Sequence, residues 1–150
     1  MYKQILIPTD GSELSTAAID QGVAFAKEVG ASVSFFTVTA PIHVYGVAGE
    51  HFVGGYDDFT RIAREEGARR LAAAEERAKA AGVPCTSSMV ESDHAWEAII
   101  DAANASGADL IAMASHGRRG LSGLVLGSET LKVLTHSTIP VLVYRQPKKG

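Results

Sequence analysis

Ile5-Leu6-Ile7-Pro8-Thr9-Asp10-Gly11-Ser12 is the stretch on which the fold turns. Three consecutive aliphatic residues, two of them β-branched, leave no side for water, so they predict a strand buried on both faces. Pro8, Asp10 and Gly11 end that strand abruptly, and Ser12 has the side chain of a helix N-cap. A doubly buried strand that turns straight into a helix belongs in a layered α/β architecture, with neighbours on both sides of it and helices over both faces.

Working outward, the remaining chain repeats this theme. After Ser12, Leu14, Ala17, Ala18, Phe25 and Val29 follow helical spacing until Gly30 supplies a left-handed stop. Val33 to Val38 reads as a second strand, and Thr39 to Asp57 as a long connection rich in glycine and aromatic residues. A helix is predicted from about Asp58 to Ala81, with Phe59, Ile62, Ala74 and Ala78 inward and Gly82 and Pro84 closing it. Thr86 to Val90 is the third strand. Asp93 is placed to cap a helix carrying Trp96, Ile99, Ile100 and Ala103 at i, i+3, i+4 and i+7, closed by Gly107. Leu110 to Ala114 is the fourth strand. Ser128 opens a short helix with Leu131 and Leu134 inward, and Pro140 leads into Val141 to Tyr144, the fifth strand. Five strands alternating with four helices imply βαβ crossovers and hence a mostly parallel sheet.

Bulk properties limit the function classes. With 150 residues, 46% of them hydrophobic, the chain is expected to form one domain over residues 1–150. Lys and Arg number 14 against 17 Asp and Glu, a formal charge of -3, so no overall basic field attracts nucleic acid or anionic lipid. Neither nucleic acid nor membrane is expected as a partner. Cys85 stands alone, which excludes an internal disulfide and suits a reducing compartment. The apolar run at Ile5 to Ile7 is too short for a signal-peptide core, and nothing approaches a membrane span of roughly 20 residues. The cytoplasm is the expected location.

In open parallel sheets, ligands sit beyond the carboxyl ends of the strands where the winding reverses. Two segments occupy such ends: Pro8 to Ser12, and the run Ser115-His116-Gly117-Arg118-Arg119-Gly120-Leu121-Ser122-Gly123-Leu124-Val125-Leu126-Gly127-Ser128. The second has four glycines in eleven residues and leads into a helix. Glycine lets backbone N–H groups converge on an anion, and the free N–H groups of a first helical turn favour negative charge. The same glycines also suit an ordinary flexible loop, with Ser128 acting only as an N-cap. No P-loop is present, and Gly117, Gly120 and Gly123 are spaced by threes rather than as a dinucleotide fingerprint.

Taken together, the opening Ile5 to Ser12, the Ser115-His116-Gly117 turn, Leu126-Gly127-Ser128 and Ile139-Pro140-Val141-Leu142-Val143 resemble the universal stress protein family over nearly the whole chain. The nucleotide-binding branch of that family carries Gly-x-x-Gly, nine residues, then Gly-Ser/Thr. Gly117 and Gly127-Ser128 have that separation, and Ala114 stands where the first glycine would be. The resemblance implies a Rossmann-like (adenine nucleotide alpha hydrolase-like) fold: an open five-stranded parallel sheet in strand order 3-2-1-4-5, with helices on both faces. It implies ATP, or ADP or AMP, as ligand, with Mg or Mn carried by the phosphates. By the same analogy Pro8, Thr9 and Asp10 line the adenosine, with Asp10 accepting hydrogen bonds from it, and Val38 packs on adenine. Met113 and Ala114 border the ribose, while Gly117, Gly127, Ser128, Glu129 and Thr130 surround the phosphates. Considered alone, Asp10 is equally an ordinary turn residue before Gly11. Glu129 places a carboxylate one residue into the helix that would serve phosphate.

The expected function is a stress-response binding or signalling module with no or very slow hydrolysis. Its homodimer seam would be the final strand, which lies at a sheet edge in that order. The competing reading is a dimeric interaction module that binds no nucleotide, with Ala114 and Glu129 as signs of a degraded pocket. Other candidates carry less. Arg118 and Arg119 either reach a triphosphate or are solvated. His43, His51, Asp57 and Asp58 lack metal-site spacing. Tyr45, Phe52 and Tyr56 furnish a lid, a partner surface or merely an insertion. Trp96 and Cys85 read as packing residues, and His116 as a loop histidine bonded to backbone. No Gly-x-Ser-x-Gly elbow accompanies the hydroxyls, so no catalytic residue is assigned.

Overall fold

A computed structural model of the chain describes residues 1–41, 55–117 and 126–145. Its strands are β1 (Gln4–Pro8), β2 (Ser32–Thr39), β3 (Cys85–Glu91), β4 (Leu110–Ala114) and β5 (Val141–Tyr144). All pair in parallel, in the order β3-β2-β1-β4-β5. The helices among the described residues are α1 (Glu13–Val29), α2 (Gly55–Ala81), α3 (Ala95–Ala105) and α4 (Ser128–His136). None of them is long and apolar enough to cross a membrane.

The sheet has a core on each face, and β1 feeds both because successive side chains alternate. Ile5 and Ile7 join Val33, Phe35, Leu110 and Ala112 beneath α1 and α2. Leu6 joins Phe36, Ile111 and Met113 with Ile99 and Ala103 of α3 and Val133 of α4. Burying one such aliphatic or aromatic side chain contributes about 1.5–3 kcal/mol, which is why the fully buried middle of β1, Ile5 to Ile7, is wholly aliphatic. The outer strands are different: β3 is exposed along almost its whole length and β5 is only half-buried.

Local punctuation holds. Ser12 caps α1, its side chain accepting from the Ser15 N–H at 3.2 Å. Gly30, Gly82 and Gly107 all take positive φ, the left-handed conformation that ends a helix without a β-carbon clash.

Helix phase departs from the sequence pattern in three places. In α1 the buried positions are Ser15, Ala18, Ile19, Gly22, Val23 and Ala26, while Ala17 and Val29 face solvent. The Ser15 hydroxyl lies 3.1 Å from that of Thr9, so a polar residue shares the buried face of this helix with Ile19 and Val23. The second helix begins at Gly55, not Asp58, and Ile62 is 42% exposed. Twenty-seven helical residues span about 40 Å against roughly 23 Å for the seven of β3, so the two elements cannot match end to end. In α4, Thr130 and Val133 are buried, whereas Leu131 is 53% and Leu134 39% exposed. The Thr130 hydroxyl donates to the Ala114 carbonyl at 3.0 Å and so turns the leucines outward.

Candidate functional site

After β1 the chain winds outward through β2 and β3, then crosses back to β4 on the other side of β1. The winding therefore reverses between β1 and β4. Because both strands run parallel, their carboxyl ends open on the same edge of the sheet, where such folds leave a crevice.

Thr9 makes the β1 side of this edge rigid. Its N–H donates to the Phe36 carbonyl at 2.8 Å, its carbonyl accepts from the Thr37 hydroxyl at 2.7 Å, and its own hydroxyl accepts from the Gly11 N–H at 3.2 Å. Asp10 follows, with Oδ1 accepting from the Ser12 N–H at 2.9 Å. Asp10 is thus a turn residue, as its place before Gly11 suggests, and its second carboxylate oxygen extends to the β4 side. There a β-carbon on Gly117 would overlap Asp10 Oδ2. Two residues more than a hundred positions apart face each other across the point of reversal.

The glycines here answer to space rather than to backbone angle. Gly127 has φ −62, and Gly117 is not among the positive-φ glycines. A β-carbon on Gly127 would lie 2.9 Å from His116 Cβ, 3.0 Å from His116 Cα and 3.4 Å from the Ser115 carbonyl. The Gly127 N–H donates to that carbonyl at 2.8 Å, pinning the start of α4 to the end of β4. Ala114 lies inside β4, and no described non-glycine residue has positive φ. Its methyl group carries no backbone strain.

Gly127, not Ser128, is the N-cap of α4, and it makes no side-chain cap bond. Ser128 is the first helical residue and is exposed. A helix gives its first N–H groups no carbonyl partner of its own, so those of Ser128, Glu129 and Thr130 are left unused within α4, whose start the Gly127–Ser115 bond holds beside the end of β4. Glu129 does not turn its carboxylate onto them. Its Oε2 accepts from the backbone N–H of Trp96 at 2.8 Å, at the first turn of α3. This corrects the reading of Asp93 as the cap of α3: His94 occupies the N-cap position without a side-chain bond, and Asp93 lies 3.3 Å from the His94 ring. The cap comes from another helix.

The structure gathers Thr9, Asp10, Ala114, Gly117, Gly127, Ser128, Glu129 and Thr130 around the ends of β1 and β4. Pro8 ends β1 and pairs in register with Phe36. Val38 sits further out on β2, partly buried on the α3 face. Met113 is a core residue on that same face, so only its main chain is free to border a ligand. His116 Nδ1 lies 3.3 Å from the Ser115 hydroxyl. Tyr144 closes β5 with its carbonyl accepting from the Ser115 N–H at 2.9 Å, and burial pushes its phenol above the ordinary range, keeping it uncharged. Arg118 and Arg119, and His43, Tyr45, His51 and Phe52 of the long connection, lie outside the described residues. The contributions of Ser15, Thr37 and Trp96 were not expected as parts of this edge. Only Ser15, three residues after Ser12, carried a local signal.

A family model described as the universal stress protein family matches residues 1–145. A universal stress protein from Methanocaldococcus jannaschii is 35% identical over 149 residues, covering 99% of this chain and 85% of that relative. Universal stress protein YxiE from Bacillus subtilis is 34% identical over 152 residues, covering 97% of this chain and all of that relative, 100%. Among solved structures, that of hypothetical protein MJ0577 superposes with a TM-score of 0.83 at 28% identity, covering 99% of each chain. A universal stress protein solved in complex with cAMP superposes with a TM-score of 0.64 at 25% identity, covering 95% of each chain. With its sheet order and its nearly full-length match, the chain belongs to the universal stress protein family.

Proposed function

We propose that residues 1–150 form one universal stress protein domain that binds ATP or a related adenine nucleotide and works as a stress-response binding or signalling module with no or very slow hydrolysis. The observation that carries this reading is the meeting of Asp10 with Gly117 at the reversal between β1 and β4, beside the open first turn of α4. A small anion-bearing ligand with a polar head fits that arrangement: N–H groups and a helix dipole at one end, a carboxylate acceptor at the other. The similar protein solved with cAMP supports the adenine nucleotide class.

In this reading Asp10 accepts from the adenosine, Pro8 and Thr9 hold Asp10 in place, and Val38 packs on the base. The main chain of Met113 and Ala114 borders the ribose. Gly117, Gly127, Ser128, Glu129 and Thr130 surround the phosphates through backbone N–H groups, and Mg or Mn arrives with the triphosphate rather than on protein ligands. In this reading no described side chain is assigned as a general base, and the ligand is held rather than turned over. The domain works as a cytoplasmic homodimer joined along β5, one of the two edge strands of the sheet.

The test is to denature purified protein, identify the released small molecules, and titrate ATP into wild type and Gly127→Asp by calorimetry. An aspartate there meets both the His116 backbone and the phosphate end. Micromolar binding by wild type that disappears in a Gly127→Asp variant with unchanged circular dichroism supports the proposal. Negligible heats for wild type refute it.

A further inference from the structure

Glu129 and Trp96 are 33 residues apart in the chain, yet a 2.8 Å hydrogen bond joins the first turn of α4 to the first turn of α3 through them. Trp96 makes a second contact with α4. Its indole stacks on the His136 ring, with centroids 4.5 Å apart and planes inclined by 27°. Glu129 and His136 are seven residues apart, about two turns, and so share a face of α4. Trp96 therefore braces α4 at both ends, by its backbone near the start and by its ring near the end. The brace at the start depends on one carboxylate.

Glu129 is also one of the residues whose backbone N–H opens at the crevice. A carboxylate in that position has two opposite possible effects. Left free, it would oppose a phosphate at the same helix end and weaken binding. Held on the N–H of Trp96, its charge is offset by the positive end of α3, and it locks the turn whose N–H groups must converge on the anion.

We infer that Glu129 is a positioning residue for the phosphate end of the site: its bond to Trp96 fixes the first turn of α4 against α3 and makes Trp96 sense whether that end is occupied. This rests on the nucleotide reading above. The chemistry it recognises is the anionic end of a nucleotide, acting on the backbone of Ser128 to Thr130 while the Glu129 side chain carries the effect to α3.

The experiment follows ATP binding by calorimetry and by emission of Trp96, the chain's single tryptophan. Wild type is compared with Glu129→Gln, Glu129→Ala and Glu129→Asp. Glutamine keeps an oxygen acceptor without the charge and is expected to bind within about twofold of wild type. Alanine loses the cap and is expected to bind roughly fivefold to tenfold more weakly, with a blunted emission change. Aspartate keeps the charge but is one methylene too short to reach Trp96, so it should behave like alanine. Because it is conservative, it also covers the case in which the alanine variant fails to fold.

Tighter binding by both the glutamine and alanine variants would show a repulsive carboxylate and overturn the inference. So would wild-type affinity and emission in the aspartate variant. Those results leave the nucleotide reading standing. No heat from wild type with ATP removes both.

Discussion

Gly117 and Asp10 lie so close across the reversal of the sheet that a single methyl group on the glycine would collide with the Asp10 carboxylate. The collision is with the far end of a side chain, so Gly117→Ala should move Asp10 rather than unfold the loop. Its cost is expected to be about 1–2 kcal/mol in urea unfolding, falling to under about 0.5 kcal/mol in an Asp10→Ala background. ATP affinity should fall with it. Additive costs in the double variant would mean that the two residues are not in contact.

A glycine in place of Ala114 should not improve the proposed site. Ala114 sits in β4 with no positive φ, so Ala114→Gly removes no strain and adds unfolded-chain entropy. The expected outcome is a loss of about 0.5–1 kcal/mol in stability and an unchanged affinity for ATP. A clear gain in affinity would point to steric crowding by the methyl group.

The two faces of α4 should respond differently to substitution. Val133 is fully buried, and Val133→Ala is expected to cost roughly 1–3 kcal/mol. Leu131→Gln and Leu134→Gln lie on the exposed side and should each cost less than about 0.5 kcal/mol. Equal losses at all three positions, measured by thermal unfolding, would contradict the rotation set by Thr130.

The proposed homodimer is tested at β5. Lysine on an edge strand resists pairing with another chain, and Val143 is only half-buried. A Val143→Lys variant is expected to scatter light as a monomer while keeping its circular dichroism. A folded variant that remains dimeric would move the seam elsewhere.

Cys85 should be a slow thiol. Burial, and secondarily the Glu75 carboxylate, push its pKa up, with Lys79 opposing them. A raised pKa leaves less thiolate at any given pH, and the thiolate is the reacting form. Alkylation by iodoacetamide is expected to be slower than for free cysteine at pH 8, with its pH midpoint displaced upward, and Glu75→Gln should speed it modestly. A midpoint below that of free cysteine would refute the assignment of causes.

Much of this architecture is written in short segments. Leu110 to Ala114 and Val141 to Tyr144 are strands at the boundaries their apolar runs suggest, and Gly30, Gly82 and Gly107 end helices because each takes a positive φ. The order of alternating elements, with the family resemblance, anticipated the sheet order. The separation of Gly117 from Gly127-Ser128 is the signal on which the proposed site rests. The inward faces of α1 and α4 differ in part from the apolar pattern because each also buries a hydroxyl: Ser15 against Thr9 beside Ala18, Ile19 and Val23, and Thr130 against the Ala114 carbonyl beside Val133.

Element type, the glycine stops of the helices and the glycine spacing follow from chain-local rules, namely side-chain alternation and the freedom of residues without a β-carbon, and the amino-acid order alone determines them; the starts of α2, α3 and α4 do not follow in this way. Which glycine needs its missing side chain, and for what reason, is a property of the folded neighbourhood: Gly117 is small because Asp10 is opposite, and Gly127 because His116 is beneath it. The role of Glu129 belongs to the same class. In the chain it is an acid at the start of a helix that should hold phosphate; in the fold, its carboxylate caps a different helix through Trp96, because packing brings two helix N-termini within reach of one side chain.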